Sequence, residues 1–358
     1  MKFDVVVGNP PYQDGAYQLY ANFYRMAISV GDEASLIFPT SWQLPKNKNG
    51  LSLLNNEEVK HDTQIISIDN VEDAFPGING AKYTNIIHWK HGYDNGLSGK
   101  QLIYSNGKDP QIVELYIDDY LFGKPKELID ISNKVEITSS FESIFSHIYL
   151  QNKFDLKQVY DWNQKLKSKV KSNGKEKRLR TNIFKSLPEV FQNEKSRDND
   201  VLIYGLDGLT RTTRYIRRNF LLKHSNLDKY KVLIPKAVTA GFGERITEPL
   251  VVSPEVGYTE TFLGFGSFNT EIEANNLKKY VKTKFSRALL GVLKMTQDTA
   301  PDKWKKVPMQ DFTSDSDIDW AKSIPEIDQQ IYKKYGLGQN EINFIESKVK
   351  AMEEESKP

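Results

Sequence analysis

The feature that most constrains this chain is an apolar strand that runs directly into two consecutive prolines. Phe3–Val7 is apolar apart from Asp4, and Gly8 and Asn9-Pro10-Pro11-Tyr12 follow at once. A nearly continuous apolar run is typical of a strand in a parallel sheet that is covered on both faces. Because proline fixes φ and has no amide N–H, the strand must end here, and the residues after it are held in a rigid conformation.

The four residues after this strand offer two acceptors and a ring. Asn9 has a side-chain carbonyl and Pro10 a main-chain carbonyl, which together can accept both hydrogens of a planar amino group. Tyr12 has a ring face on which a flat heterocycle can stack. These groups predict a site for the amino group of a base that has been turned out of its helical stack.

Composition excludes several other classes of protein. The chain has no cysteine, so disulfides, thiol nucleophiles and zinc ribbons are excluded. Its net charge is only +2, so a surface that binds nucleic acid must be segregated from acidic regions. No apolar run approaches the length of a membrane span, and we expect a cytoplasmic protein with no membrane partner.

Residues 1–122 alternate between strand and helix patterns, which favours an α/β layer. The predicted helix is Leu19–Val30. The predicted strands are Phe3–Val7, Ala34–Phe38, one within Thr63–Val71, and Thr84–Trp89.

Residues 123–200 have a different sequence pattern, which is helical and rich in basic residues. Lys124–Ser172 is helical in pattern, with Phe141–Leu150 apolar on one face. Gln164–Arg180 is dense in lysine and arginine. This basic stretch is either a solvated helix or loop, or an arm that contacts phosphates.

Residues 201–358 read as short strands followed by helices. Thr270 is a predicted N-cap, Asn275–Leu293 a predicted helix, and Glu326–Met352 a predicted pair of helices. The predicted strands are Val201–Gly205, Arg214–Ile216, Tyr230–Ile234 and Pro249–Ser253.

The N-terminal block resembles a known family. Phe3–Tyr12 resembles the strand and Asn-Pro-Pro-Tyr signature of adenine-specific DNA methyltransferases from restriction–modification systems. Leu36–Trp42, Ala74–Ile78 and Thr84–Trp89 are similar to the segments that follow it in members with fused catalytic and target-recognition modules.

The C-terminal part is similar to the closing part of that family's target-recognition region, at Lys282–Arg287, Val307–Phe312 and Ile327–Leu337. The resemblance is to the C-terminal portion of such an enzyme. It implies a partial Rossmann-like methyltransferase sheet in residues 1–122 and a helical, basic connector in 123–200. A mixed α+β target-recognition domain with C-terminal helices would then occupy 201–358.

The resemblance also implies roles for the tetrapeptide. Asn9 and Pro10 would bind the adenine amino group, Pro11 would hold the loop, and Tyr12 would stack on the extruded ring. S-adenosylmethionine would be the methyl donor, and Asn9 and Pro10 are the candidate residues for contact with it. Positioning would carry most of the rate gain.

The family's glycine-rich cofactor loop lies before this motif in sequence. The one downstream candidate, Gly264-Phe265-Gly266, is a weak signal that we interpret as a structural turn. We therefore expect an upstream segment or a separate chain to complete the cofactor site.

A second group of candidate residues is rich in arginine, and Tyr215 and Phe220 lie among these arginines in the sequence. Such a group suits contacts with the phosphates and bases of double-stranded DNA. The alternative is a solvated strand edge protected by charge. The candidate DNA-binding residues of this group are Arg211, Arg214, Arg217 and Arg218. Lys236 and Arg245 are candidates on a separate segment, which is either a loop that reaches DNA phosphates or a plain loop.

Other groups of residues give only weak evidence for a functional site. His88 and His91 lack the spacing of a metal pair on a strand, and we assign no metal site. We assign no cleavage activity to this chain; its candidate protein partners are a separate chain that carries the cofactor-binding half or a restriction nuclease. Two other functions stay open: a methyltransferase acting on a protein glutamine amide, and a DNA-binding remnant or specificity fragment without catalysis.

Overall fold

The fold was analysed in a computed structural model. It describes residues 2–14, 17–39, 58–72, 83–97, 100–105, 111–114, 125–170, 174, 176–236, 242–294 and 299–352. The predicted segments at Thr40–Trp42 and Ala74–Ile78 lie outside these residues. The chain divides into two compact units, Met1–Ile129 and Asp130–Pro358, and both contain mixed sheets with helices.

The first unit is built around one six-stranded sheet with the order β1-β4-β6-β5-β7-β8. The pairs β1–β4 and β5–β7 are parallel, and the other neighbours are antiparallel. The strands and the helix predicted for this region are confirmed, whereas β7 and β8 were not predicted. Its elements are β1 (Phe3–Gly8), β2 (Gln13–Asp14), β3 (Tyr17–Gln18), α1 (Tyr20–Val30), β4 (Gly31–Pro39), α2 (Glu58–His61), β5 (Ile65–Glu72), β6 (Tyr83–Lys90), β7 (Lys100–Ser105) and β8 (Gln111–Glu114).

Strand β1, helix α1 and strand β4 form a β-α-β unit. Helix α1 buries Tyr20, Tyr24 and Ala27 at helical spacing. The rings of Tyr20 and Tyr24 lie 5.7 Å and 6.2 Å from the ring of Phe38 on β4. This contact fixes the helix on one face of the sheet and leaves the two parallel strands side by side.

The second unit contains a three-stranded sheet, β11-β10-β14, and a four-stranded sheet, β13-β12-β15-β9. Helix α3 (Lys126–Glu136) crosses the boundary between the units. The remaining elements are β9 (Ile148–Tyr149), α4 (Lys157–Trp162), α5 (Ile183–Ser186), β10 (Val201–Asp207), β11 (Thr210–Ile216), β12 (Tyr230–Pro235), β13 (Leu250–Val252), β14 (Val256–Tyr258), β15 (Phe262–Phe268), α6 (Glu271–Lys282), α7 (Lys284–Leu293), α8 (Ile324–Lys334) and α9 (Gln339–Lys348).

Local sequence signals explain the helices of this unit. The Thr270 hydroxyl accepts from the Glu273 amide, and the Glu273 carboxylate accepts from the Thr270 amide, so the predicted N-cap is confirmed as a capping box.

The helical pattern predicted for Lys124–Ser172 is only partly correct. After α3 the chain forms short 3₁₀ turns, among them Ile144–His147 and Gln164–Lys169, because Ser143 and Asn163 cap them locally.

Candidate functional site

The tetrapeptide Asn9–Tyr12 lies immediately after the carboxyl end of β1. Strand β4 runs parallel to β1, from Phe3 opposite Gly31 to Gly8 opposite Leu36. Both strands therefore end at the same edge of the sheet, which is the edge where open α/β sheets bind their ligands. Asn9 is exposed and Pro10 is half-buried, so the Asn9 amide is accessible from solvent.

Tyr12 is held from two sides. Its carbonyl accepts from the Leu19 amide at 3.1 Å, and its ring packs partly against the core of the first unit. The hydroxyl is buried and makes no hydrogen bond to any residue that the structure describes. Burial raises the pKa of this hydroxyl, so it stays neutral at physiological pH. The predicted stacking role of the ring stays a prediction.

Strand β1 is the edge strand of the sheet in the described part of the chain. It pairs with β4 along one side, and Phe3, Val5 and Val7 on one face are 52%, 52% and 72% exposed. The opposite face differs, because Val6 packs against the core that α1 covers. The prediction of a parallel sheet covered on both faces is therefore wrong for β1. The sheet is mixed, and one face of this apolar strand is bare.

On the neighbouring strands, the same face carries several partly exposed polar side chains. Val5 lies opposite Glu33, whose carboxylate accepts from the Lys90 ammonium at 2.5 Å. Further along, a ring nitrogen of His88 lies 3.1 Å from the Asp69 carboxylate. Among the described residues, no cluster of three or more acidic or histidine side chains could hold a metal ion.

We asked whether the described residues could hold S-adenosylmethionine, the donor that the resemblance implies. In the first unit, the described glycines with positive φ are Gly92 and Gly96, which follow β6. Strand β6 is antiparallel to β4 and ends with Lys90 opposite Glu33, so these glycines lie at the edge away from Asn9. The described residues present acceptors for an amino group but do not complete a cofactor site.

The downstream candidate, Gly264-Phe265-Gly266, is a packing feature. Both glycines lie within strand β15. A Cβ on Gly264 would lie 2.2 Å from the Tyr258 hydroxyl, and one on Gly266 would lie 2.1 Å from the Phe268 ring. Gly266 also has φ of +75°, a conformation that favours glycine. The predicted turn is therefore wrong, because the segment lies within a strand, where close packing and the positive φ of Gly266 favour glycine.

Two of the predicted DNA-binding arginines lie on β11, which pairs with β10 as an antiparallel hairpin. Arg211 is exposed, and no ion pair joins it to the residues that the structure describes. The Arg214 side chain is hydrogen-bonded within the hairpin. Its guanidinium donates to the Asp207 carboxylate at 3.0 Å and to the Thr212 hydroxyl at 2.9 Å.

The next two arginines follow the hairpin and pack locally. The Arg217 guanidinium lies over the rings of Trp162 and Phe220, 6.0 Å and 5.4 Å from their centroids. The Arg218 guanidinium pairs with the carboxylates of Asp228 and Glu255. A phosphate contact by Arg218 would therefore compete with two ion pairs inside the unit.

The last two candidates lie on other segments of the second unit. Lys236 follows β12, where its amide donates to the Thr261 carbonyl at 2.9 Å and its carbonyl accepts from the Thr299 hydroxyl at 2.8 Å. The exposed Arg245 donates from Nε to the Ala351 carbonyl at 2.9 Å. The segment 237–241 between them lies outside the described residues. Contact of these residues with DNA remains a prediction.

The sequence analysis did not single out one strongly exposed apolar residue. Leu209, at the turn of the β10–β11 hairpin, is 99% exposed. The Asp207-Gly208 pair is a hairpin signal that could have revealed this turn. Beside the hairpin, Phe184, Gln192 and Arg214 help to line a surface cavity of about 750 Å³.

No protein-family model matches the chain, and no curated protein matches it. Among solved structures, it is similar to the type IIG restriction endonuclease BpuSI, with 10% identity over 91% of this chain and 45% of that one, at a TM-score of 0.36. It is also similar to the type IIL restriction–modification enzyme MmeI in complex with DNA, with 10% identity over 96% of this chain and 56% of that one, at a TM-score of 0.37.

A third similar structure is a modification subunit of a putative type I restriction enzyme from Vibrio vulnificus. It shows 12% identity over 30% of this chain and 27% of that one, at a TM-score of 0.23. The chain thus spans about half the length of BpuSI and MmeI. In the described part of the chain, every helix is too short or too polar to cross a bilayer.

Proposed function

We propose that this chain carries the adenine-binding half of a site-specific adenine DNA methyltransferase. The observation that carries the proposal is the position of Asn9-Pro10-Pro11-Tyr12 directly after β1, at the edge where the parallel strands β1 and β4 both end. Asn9 is exposed there, and the two prolines restrict the backbone that presents it.

The proposed chemistry uses two acceptors. The Asn9 side-chain carbonyl and the Pro10 main-chain carbonyl accept the two hydrogens of the adenine N6 amino group. This draws the nitrogen lone pair out of conjugation with the ring and makes the nitrogen a better nucleophile. The partly buried ring of Tyr12 faces the extruded base. No covalent enzyme intermediate is needed.

The donor half of the site comes from another segment, either upstream in the same polypeptide or on a separate chain. Two features of β1 support this proposal: one face is exposed, and its outer backbone edge pairs with no strand in the described part of the chain. Phe3, Val5 and Val7 have the composition of a central strand, yet they are exposed, and their backbone edge can accept a further strand. The segment that covers this surface would bring the S-adenosylmethionine site to the edge where Asn9 lies.

Double-stranded DNA is the proposed substrate, held by the second unit. Arg211 and Arg217 lie on and just after the β10–β11 hairpin, and neither forms an ion pair with a carboxylate in the described part of the chain. A sequence-independent component of binding through such cations weakens as salt rises.

Two titrations of the purified chain test this proposal. In calorimetry with S-adenosylmethionine, we expect no binding at micromolar concentrations, and micromolar affinity would contradict the incomplete cofactor site. In fluorescence anisotropy with a pool of random-sequence duplexes, we expect binding that weakens with salt. The absence of DNA binding would contradict the proposed substrate.

A further inference from the structure

The turn of the β10–β11 hairpin places an apolar side chain where turns ordinarily carry glycine, asparagine or aspartate. Asp207 pairs with Thr210, which leaves Gly208 and Leu209 as a two-residue loop. Gly208 has φ of +61°, which suits the tight turns that join two strands. Leu209 is 99% exposed, the largest exposed fraction among the large hydrophobic residues of the described chain.

The hairpin is a stiff support for this tip. Seven residue pairs join β10 to β11, and at the inner end Val201, Ile203 and Ile216 are buried in the core of the second unit. Gly205 packs so closely on the Phe184 ring that a Cβ would lie 2.7 Å from it. The base is therefore anchored, while the tip from Asp207 to Arg211 is exposed throughout.

The chemistry beside the tip fits nucleic acid. Arg211 is exposed two residues after Leu209, and Thr210 between them adds a hydroxyl. The one carboxylate at the tip, Asp207, is paired with Arg214, so it is neutralised within the hairpin. A two-stranded ribbon fits the major groove of DNA, where an apolar side chain can contact the thymine methyl group.

We infer that the hairpin tip enters a groove of the DNA, with Leu209 as an apolar contact to the bases and Arg211 on a phosphate. This inference rests on the proposed DNA substrate and adds a sequence-reading element to it. Base contacts specify sequence, whereas phosphate contacts position the protein. The two residues should therefore differ in what their loss does to binding.

The test uses the full chain and two kinds of DNA. The wild-type chain is first used to enrich a duplex from a random-sequence pool. The affinities of each variant for the enriched duplex and for the unselected pool are then measured by fluorescence anisotropy over a range of salt concentrations. Leu209→Ala should weaken binding to the enriched duplex about tenfold and to the pool less than about twofold, with no change in salt slope. Arg211→Ala should weaken both and lower the slope by about 1.

Matched controls sit elsewhere on the second unit. Ile272 on α6 is 72% exposed, and Lys333 on α8 is exposed, so Ile272→Ala and Lys333→Ala remove similar groups away from the hairpin. Neither should change the affinity for the enriched duplex. Thermal unfolding of each variant checks that the fold is intact.

The outcomes separate this inference from the proposed function. If the wild-type chain binds no DNA, the proposed function itself fails. If it binds and enriches a duplex but Leu209→Ala binds that duplex as tightly as wild type, only the role of the tip fails. Binding of the pool without enrichment of any sequence would also overturn the base contact.

Discussion

Arg214 donates a hydrogen bond from Nη2 to the Asp207 carboxylate across the β10–β11 hairpin, at 3.0 Å. The same guanidinium bonds the Thr212 hydroxyl and the Thr213 carbonyl, and it lies 5.8 Å from the centroid of the Phe184 ring. Arg214 therefore belongs to the support of the hairpin, whereas Arg211 three residues before it is exposed.

This relationship predicts that the two arginines differ in their effect on the hairpin. Arg214→Ala should lower the free energy of local opening of β10 and β11 by about 1 kcal/mol, since it removes charge-assisted bonds at a partly exposed site. Native-state hydrogen exchange of the strand amides measures this value. Arg211→Ala is the control and should leave the exchange unchanged. Equal exchange in both variants would contradict the assignment.

Lys231 on β12 predicts a pH dependence of stability. Its side chain is fully buried and donates to the Val256 carbonyl at 3.1 Å. Burial lowers the pKa of this ammonium to about 7, although nearby Asp228 opposes the shift. Because the folded-state pKa lies below the unfolded value of 10.5, the stabilisation from neutral Lys231 is present above pH 10.5 and is lost as pH falls to about 7.

Lys231→Met removes this dependence. Relative to wild type, its free energy of unfolding should increase by about 3 kcal/mol between pH 9 and pH 6, since the wild type loses about 1.4 kcal/mol per pH unit down to the folded-state pKa of about 7. Denaturant unfolding at the two pH values gives the comparison. The loss of one hydrogen bond adds an offset that does not vary with pH. A difference that stays constant with pH would contradict the burial of the charged group.

The two-glycine segment of β15 predicts strain when either glycine is replaced. Gly266→Ala should cost about 2 kcal/mol or more, because a Cβ meets the Phe268 ring and φ is positive. Gly208→Ala is the control. It has φ of +61° but open space around the Cβ, so it should cost about 1 kcal/mol. Thermal unfolding of both variants tests this order, and equal costs would rule out the clash.

Sequence reasoning located an element well where one local signal dominated. The apolar run before Pro10 predicts β1, and the spacing of Tyr20, Tyr24 and Ala27 gives α1 its buried face. Thr270 and Glu273 lie three apart, as a capping box requires, and they start α6. In each case neighbouring residues in the sequence determine the structure.

Other elements depend on distant contacts. The residues Thr210–Thr213 are all polar, so no alternation marks the start of β11, and the strand was predicted only from Arg214. Their partners on β10 determine the strand instead. Likewise, the exposure of Phe3, Val5 and Val7 could not be predicted, because an apolar strand carries no sign of which neighbours cover it.

The central claim is that Asn9 binds the amino group of an adenine in DNA that becomes methylated. The most direct measurement is a genome-wide map of N6-methyladenine in cells of the organism that encodes the chain, where any partner segment is present. We predict that methylation at one sequence motif is lost in Asn9→Ala and retained in Asn22→Ala, which changes an exposed asparagine on α1. An unchanged map in Asn9→Ala would contradict the claim.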